Sequence, residues 1–278
     1  EVFKKSGALR SYGAGAGGCA HVSPFDISSQ ETNQHGIAFS KSGEKMFVVG
    51  SSGIDVNEYT LTGAYCIGTA SFVDSFSITS QDEKPTGIAF SKSGEKMFVV
   101  GNDGDDINEY TLATAWDVSS ASFVDSFSVN SQDRTPTGLA FSKSGEKMFV
   151  VGSSDDDVNE YTLTAAWDVS TASFVDSFDI SSQDNDPRGI AFSKSGEKMF
   201  VVGNQGDDIN EYTLATAWDV SSASFVDSFA VNSQEATPRD VWFDSSGKTM
   251  FIVGSDGDDV NVYKLTAAWD VSTASFTG

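Results

Sequence analysis

The sequence predicts an all-β fold, a five-bladed β-propeller of four-stranded antiparallel blades, from three observations. Lys-Ser-Gly-Glu-Lys-Met-Phe-Val-Val-Gly recurs verbatim at Lys41, Lys92, Lys143 and Lys194, and a degenerate fifth copy begins at Ser245, so the period is 51 residues throughout. Each period contains four short runs of strand-forming residues separated by turn residues. No stretch carries a helical apolar period. Strict repetition of a unit too small to bury both faces of its own sheet implies that neighbouring units cover each other.

The third unit shows the elements in order. Residues 123–129 read as a half-buried outer strand, with Phe123, Phe127 and Val129 on one face and Ser126 and Ser128 on the other. Residues 130–137, with Ser, Asp and Pro, read as a turn. Residues 138–141 form a short apolar strand, and residues 143–146 a tight hairpin loop. Residues 148–151 are apolar on both faces, as in a strand covered on both sides. A polar turn at 152–156 leads to a fourth strand at 157–163, and residues 165–170 connect to the next outer strand.

The last copy ends without a full outer strand. Phe25 aligns with Phe178, so the N-terminal strand is expected to complete the fifth blade and close the ring; residues 274–278 align to the same slot and compete for it. Pro24 fits there because an outer strand is an edge. The expected division is an N-terminal Gly-rich arm at 1–21, a candidate element for self-association, and a propeller at 22–278.

Units reading Gly-Ile-Ala-Phe-Ser, Ser-Gly-Glu-Lys-Met-Phe-Val-Val-Gly and Asp-Val-Asn-Glu-Tyr-Thr-Leu resemble YVTN and NHL-like propeller repeats. They are most similar to the near-identical repeats of surface proteins from marine bacteria and their phages. The resemblance implies the fold and an extracellular or cell- or virion-surface location. That superfamily covers lectins, adhesins, scaffolds and some lactonases, and the lactonase metal-binding carboxylate set is not recognisable in this chain.

The net charge of −23 opposes nucleic-acid binding, and no apolar run has membrane-spanning length. In a ring of near copies a unique site belongs where the symmetry breaks. His35 stands where the other repeats have Thr86, Thr137, Arg188 and Arg239, at the entry to the innermost strand and near one mouth of the channel. Neither His35 nor His21 adjoins a recognisable nucleophile motif, so the sequence points away from an enzyme.

Three sets of side chains are candidate sites. Asp103, Asp105 and Asp106, Asp155, Asp156 and Asp157, Asp207 and Asp208, and Asp256, Asp258 and Asp259 crowd carboxylates onto turns, a candidate calcium set, with Asp turn-capping as the simpler reading. Trp116, Trp167, Trp218 and Trp269 recur in the connecting segment, either as a multivalent glycan-binding face or as plugs between blades. Cys19 and Cys66 both lie where the repeat is broken and suggest a disulfide, within or between chains, and an oxidising compartment. The functional expectation is a non-enzymatic extracellular structural or adhesive scaffold, self-assembling through its arm, with a multivalent lectin as the alternative.

Overall fold

The computed structural model describes residues 24–277. Their strands form five sheets; in four of them sequence order is spatial order from the channel outwards, and in the fifth the N-terminal strand Phe25–Asp26 adds at the outer edge. Blade 3 shows the pattern: Pro136–Phe141 innermost, then Lys147–Gly152, Asp157–Leu163 and Ala172–Asp179, all antiparallel. Innermost strands touch their neighbours around the whole ring, from Gln34–Phe39 of blade 1 to Pro238–Phe243 of blade 5 and back. This is the predicted five-bladed propeller.

The second strand explains why the blades stack. In Lys147–Gly152 the side chains of Met148, Phe149, Val150 and Val151 are fully buried, two against each neighbouring blade, since alternate residues face opposite sides. The core is therefore divided into five clusters, one at each blade junction. At about 2 kcal/mol for a buried Phe or Val side chain, each blade is stable only between two others.

Close approach of the inner strands depends on glycine. A Cβ on Gly138 would lie 2.6 Å from the carbonyl oxygen of Arg188 in the next blade. The equivalent position is glycine in blades 1 to 4 and Asp240 in blade 5.

Two details differ from the sequence reading. The outer strands do not alternate cleanly, because a bulge opposite Glu109/Tyr110 inserts an extra residue. Tyr110 pairs with Phe123 and Glu109 with Asp125, which leaves both Phe123 (45%) and Val124 (50%) exposed. The terminal segments also do not compete. Phe25–Asp26 pairs with Val260 and Asp259, while Ala274–Phe276 pairs with Leu265, Lys264 and Tyr263. The two pieces share one outer slot end to end, and the gap between them falls where the other blades carry the bulge. The expected arm at 1–21 lies outside the described residues.

Candidate functional site

One repeat position that differs from blade to blade converges, in all five copies, on one end of the channel. His35, Thr86, Thr137, Arg188 and Arg239 are each the second residue of an innermost strand. They line a single cavity of about 180 Å³, together with Ser51, Lys84, Pro85 and Asn102. The ring is chemically lopsided.

Blades 2 and 3 contribute the neutral side. The Thr86 hydroxyl lies 2.9 Å from the Pro136 carbonyl oxygen, and the Thr137 hydroxyl 2.9 Å from that of Pro187. Both donate to the next blade and stitch the inner strands together. Blades 4 and 5 contribute the two arginines, blade 1 contributes His35, and Lys84 comes from the turn before the inner strand of blade 2.

Arg188 donates through Nη2 to Asp186, with ion-pair contact at 2.6 Å. Its Nε–H is buried and has no partner. The Nε–H of Arg239 is likewise buried and unpartnered, and among the described residues Arg239 makes no ion pair. Burial and the neighbouring Arg188 charge lower the pKa of Arg239 from its ordinary value. A buried donor without an acceptor carries a cost of about 1–3 kcal/mol.

His35 stands beside this pair. Burial, Arg239 and Arg188, in that order, lower its pKa to about 4, so the imidazole is neutral at pH 7. Its Nε2 lies 3.2 Å from Ser51 Oγ, which accepts a 2.6 Å hydrogen bond from Asn33 Nδ2. Asp240 follows Arg239 on the same strand. Its carboxylate accepts the backbone N–H groups of Ile37, across the ring closure at 2.9 Å, and Val241 at 2.8 Å. Burial raises its pKa to about 7. A chain of net charge −23 thus gathers two arginines and a lysine at one mouth, against the single nearby ion-pair partner Asp186.

The other sequence candidates are placed elsewhere. Asp55, Asp106, Asp208 and Asp259 each open a third strand and accept a side-chain hydrogen bond from the Asn two residues on, at 2.7–2.9 Å. Asp105, Asp156, Asp207 and Asp258 hold positive φ angles of 48–56°. Among the described residues no group of three or more His, Cys, Asp or Glu side chains is arranged to hold a metal ion. The turn amides are instead bound by carboxylates the sequence reading missed. Glu31, Asp82, Asp133, Asp184 and Glu235 are buried beneath the turns, and Asp82 accepts the N–H groups of Asp103 and Gly104, each at 3.2 Å. Their signal was present as a Gln-Asp or Gln-Glu pair repeated every 51 residues.

Each tryptophan packs between blades. Trp116 stacks on Phe47 of the preceding blade, with centroids 6.1 Å apart, and lies 5.3 Å from Phe90. It covers Gly94, where any Cβ would overlap the indole. The Trp116 carbonyl accepts a 2.6 Å hydrogen bond from Lys45, which also pairs with the buried Glu58. This clamp is a second feature the sequence reading missed. Cys66 precedes a single 3-10 turn at Ile67–Thr69 and is not free; its expected partner Cys19 lies outside the described residues.

Comparison with known proteins is informative through structure alone, since no family model and no curated protein matches the chain. The YVTN/NHL-like resemblance is therefore one of fold. Similar solved structures include a protein from Bacteroides uniformis described as a putative 6-phosphogluconolactonase, with TM-score 0.52 and 13% identity, covering 87% of this chain and 70% of that one. The periplasmic gluconolactonase of Pseudomonas aeruginosa aligns with TM-score 0.50 and 15% identity, over 87% and 68% of the two chains. A nidogen/laminin complex aligns with TM-score 0.56 and 13% identity, over 89% and 80%. At these identities the likeness is one of fold.

These neighbours correct the expectation of a non-enzymatic structural or adhesive scaffold with a lectin as alternative. Two of the three described above bear the names of enzymes. The repeated aromatics that suggested a glycan face are packed between blades, and His35, Arg188 and Arg239, departures from the repeat, line one cavity.

Proposed function

We propose that this propeller binds a small anionic ligand at its channel mouth, where Arg188 and Arg239 hold a carboxylate, phosphate or sulfate group. The observation that carries the reading is the pair of guanidinium side chains, Arg188 and Arg239, that line one cavity from adjacent blades, Arg239 without an ion-pair partner among the described residues. Guanidinium groups match the planar or tetrahedral oxyanion, and a confined cavity strengthens the attraction relative to open water. The surrounding acidic surface favours small ligands over anionic polymers, which it would repel.

A second reading, hydrolysis of an anionic lactone at the same mouth, is favoured by the contact between His35 and Ser51. A neutral imidazole within hydrogen-bond reach of a hydroxyl has the geometry of a general base. The name 6-phosphogluconolactonase, borne by one of the similar structures, contains such a substrate.

Titration calorimetry with sodium sulfate and with inorganic phosphate tests the first reading. The wild-type chain should bind with an affinity that weakens as sodium chloride is added, and Arg239→Ala should weaken it at least about tenfold, the loss of one charge-assisted hydrogen bond. Absence of heat with both anions, or an unchanged affinity in Arg239→Ala, would overturn it.

A further inference from the structure

We propose that His35 becomes a further cation of this site, charging as the ligand arrives, so that the propeller takes up an anion and a proton together. The inference rests on the anion-binding reading and adds to it a residue and a linkage.

The geometry starts from ring position. His35, Arg239 and Arg188 occupy equivalent places on blades 1, 5 and 4, which are consecutive around the ring, and line the same cavity. An anion held by the two arginines therefore also faces the imidazole. His35 keeps one ring nitrogen near Ser51 Oγ, a hydroxyl that can accept a hydrogen bond as readily as donate one. The contact survives protonation.

With the site free, burial and the two guanidinium charges hold the imidazole neutral down to about pH 4. A bound dianion offsets both of those charges, which leaves burial alone to oppose protonation. Linkage makes the effect reciprocal: whatever raises proton affinity at His35 raises anion affinity on the acid side by the same factor.

The other charged groups around His35 bear on the sign. The Lys84 ammonium lines the same cavity. Glu31 on the same blade, and Asp186 and Glu235 on blades 4 and 5, are carboxylates whose protonation would also favour an anion. Asp240, titrating at about 7, is the strongest competitor, since its neutralisation falls in the same window. The test must separate these groups from His35.

Sulfate is the probe, because it keeps its charge from pH 5 to 8. Calorimetry of the full chain at pH 7.5 and pH 5, in buffers of different ionisation enthalpy, reads affinity and the number of protons taken up. Sulfate should bind about twofold more tightly at pH 5, corresponding to a His35 pKa raised by about one unit, with uptake of about 0.4 proton at that pH. Asp240→Asn should keep this gain, and His35→Gln should lose it.

Equal affinity at both pH values in the wild-type chain, with no proton uptake, would overturn the proposal, as would a gain that survives in His35→Gln. Failure of sulfate to bind at either pH would remove the anion-binding reading itself, a result distinguishable from binding without proton uptake.

Discussion

Four of the five blade junctions are held by the same polar clamp, and the fifth, where the ring closes, is held by aromatic packing. In the repeated junctions a lysine bridges a buried glutamate of its own blade and a tryptophan carbonyl of the next. Lys96 contacts Glu109 and the Trp167 carbonyl oxygen, each at 2.6 Å, while the other Glu109 oxygen accepts the Val169 N–H at 3.0 Å. Between blades 5 and 1 the two clamp positions are Thr249 and Val262, and Lys264 turns to the Thr249 hydroxyl at 2.7 Å. Tyr65 replaces the tryptophan, and Trp242, where the other blades have Ala, packs 4.8 Å from Phe39 and 5.5 Å from Tyr65. A buried ion pair ties a junction to one geometry, because each member is costly when unpaired. Apolar packing is tolerant, which suits a junction whose two sides meet only after the whole chain has wrapped round.

The contrast can be broken from either side. Glu109→Ala strands the buried end of Lys96 and the Val169 amide, and should cost about 3 kcal/mol in chemical denaturation. The double change Lys96→Thr with Glu109→Val, which copies the closing junction, should recover part of that loss; no recovery would show that the clamp, not the absence of orphaned groups, sets stability. Trp242→Ala at the closing junction should cost less, about 2 kcal/mol by the same measurement, since the indole is only partly buried.

The smallest effect concerns pH. Asp240 titrates near 3.8 when unfolded and at about 7 in the fold, so between these values the folded chain holds a proton the unfolded chain has lost. Its contribution to stability therefore declines as pH rises through that window and levels off above about 7. Wild-type stability should fall by about 1 kcal/mol from pH 6 to 8 through this group, and Asp240→Asn should flatten that slope.

Most of the architecture was legible because repetition made it so. A single blade would have offered short, ambiguous apolar runs; five aligned copies showed which positions are always apolar and which turns always carry Gly or Asp. The bulge opposite Glu109/Tyr110 was not legible, since one extra residue in a strand leaves no mark on composition. The channel mouth was half visible. Sequence alignment located His35, Arg188 and Arg239 as breaks in symmetry, but the departures lie in three different blades, and only ring closure makes blade 1 the neighbour of blade 5. The Asp-rich turns were conspicuous by their repetition, but the carboxylates that bind their amides lie about twenty residues away in sequence.

The divided outer slot of blade 5 has a mechanical consequence. Phe276 is registered on Tyr263 and Phe25 on Val260, so each terminal piece grips a separate half of one strand. Only the N-terminal piece crosses the closure, since residues 274–276 belong to the same blade as the strand they pair with; peeling Phe25–Asp26 away would leave that junction to its side-chain packing. A permuted chain that bridged this gap and was cut between two other blades would trace the same circle, with its weak point moved to the new cut.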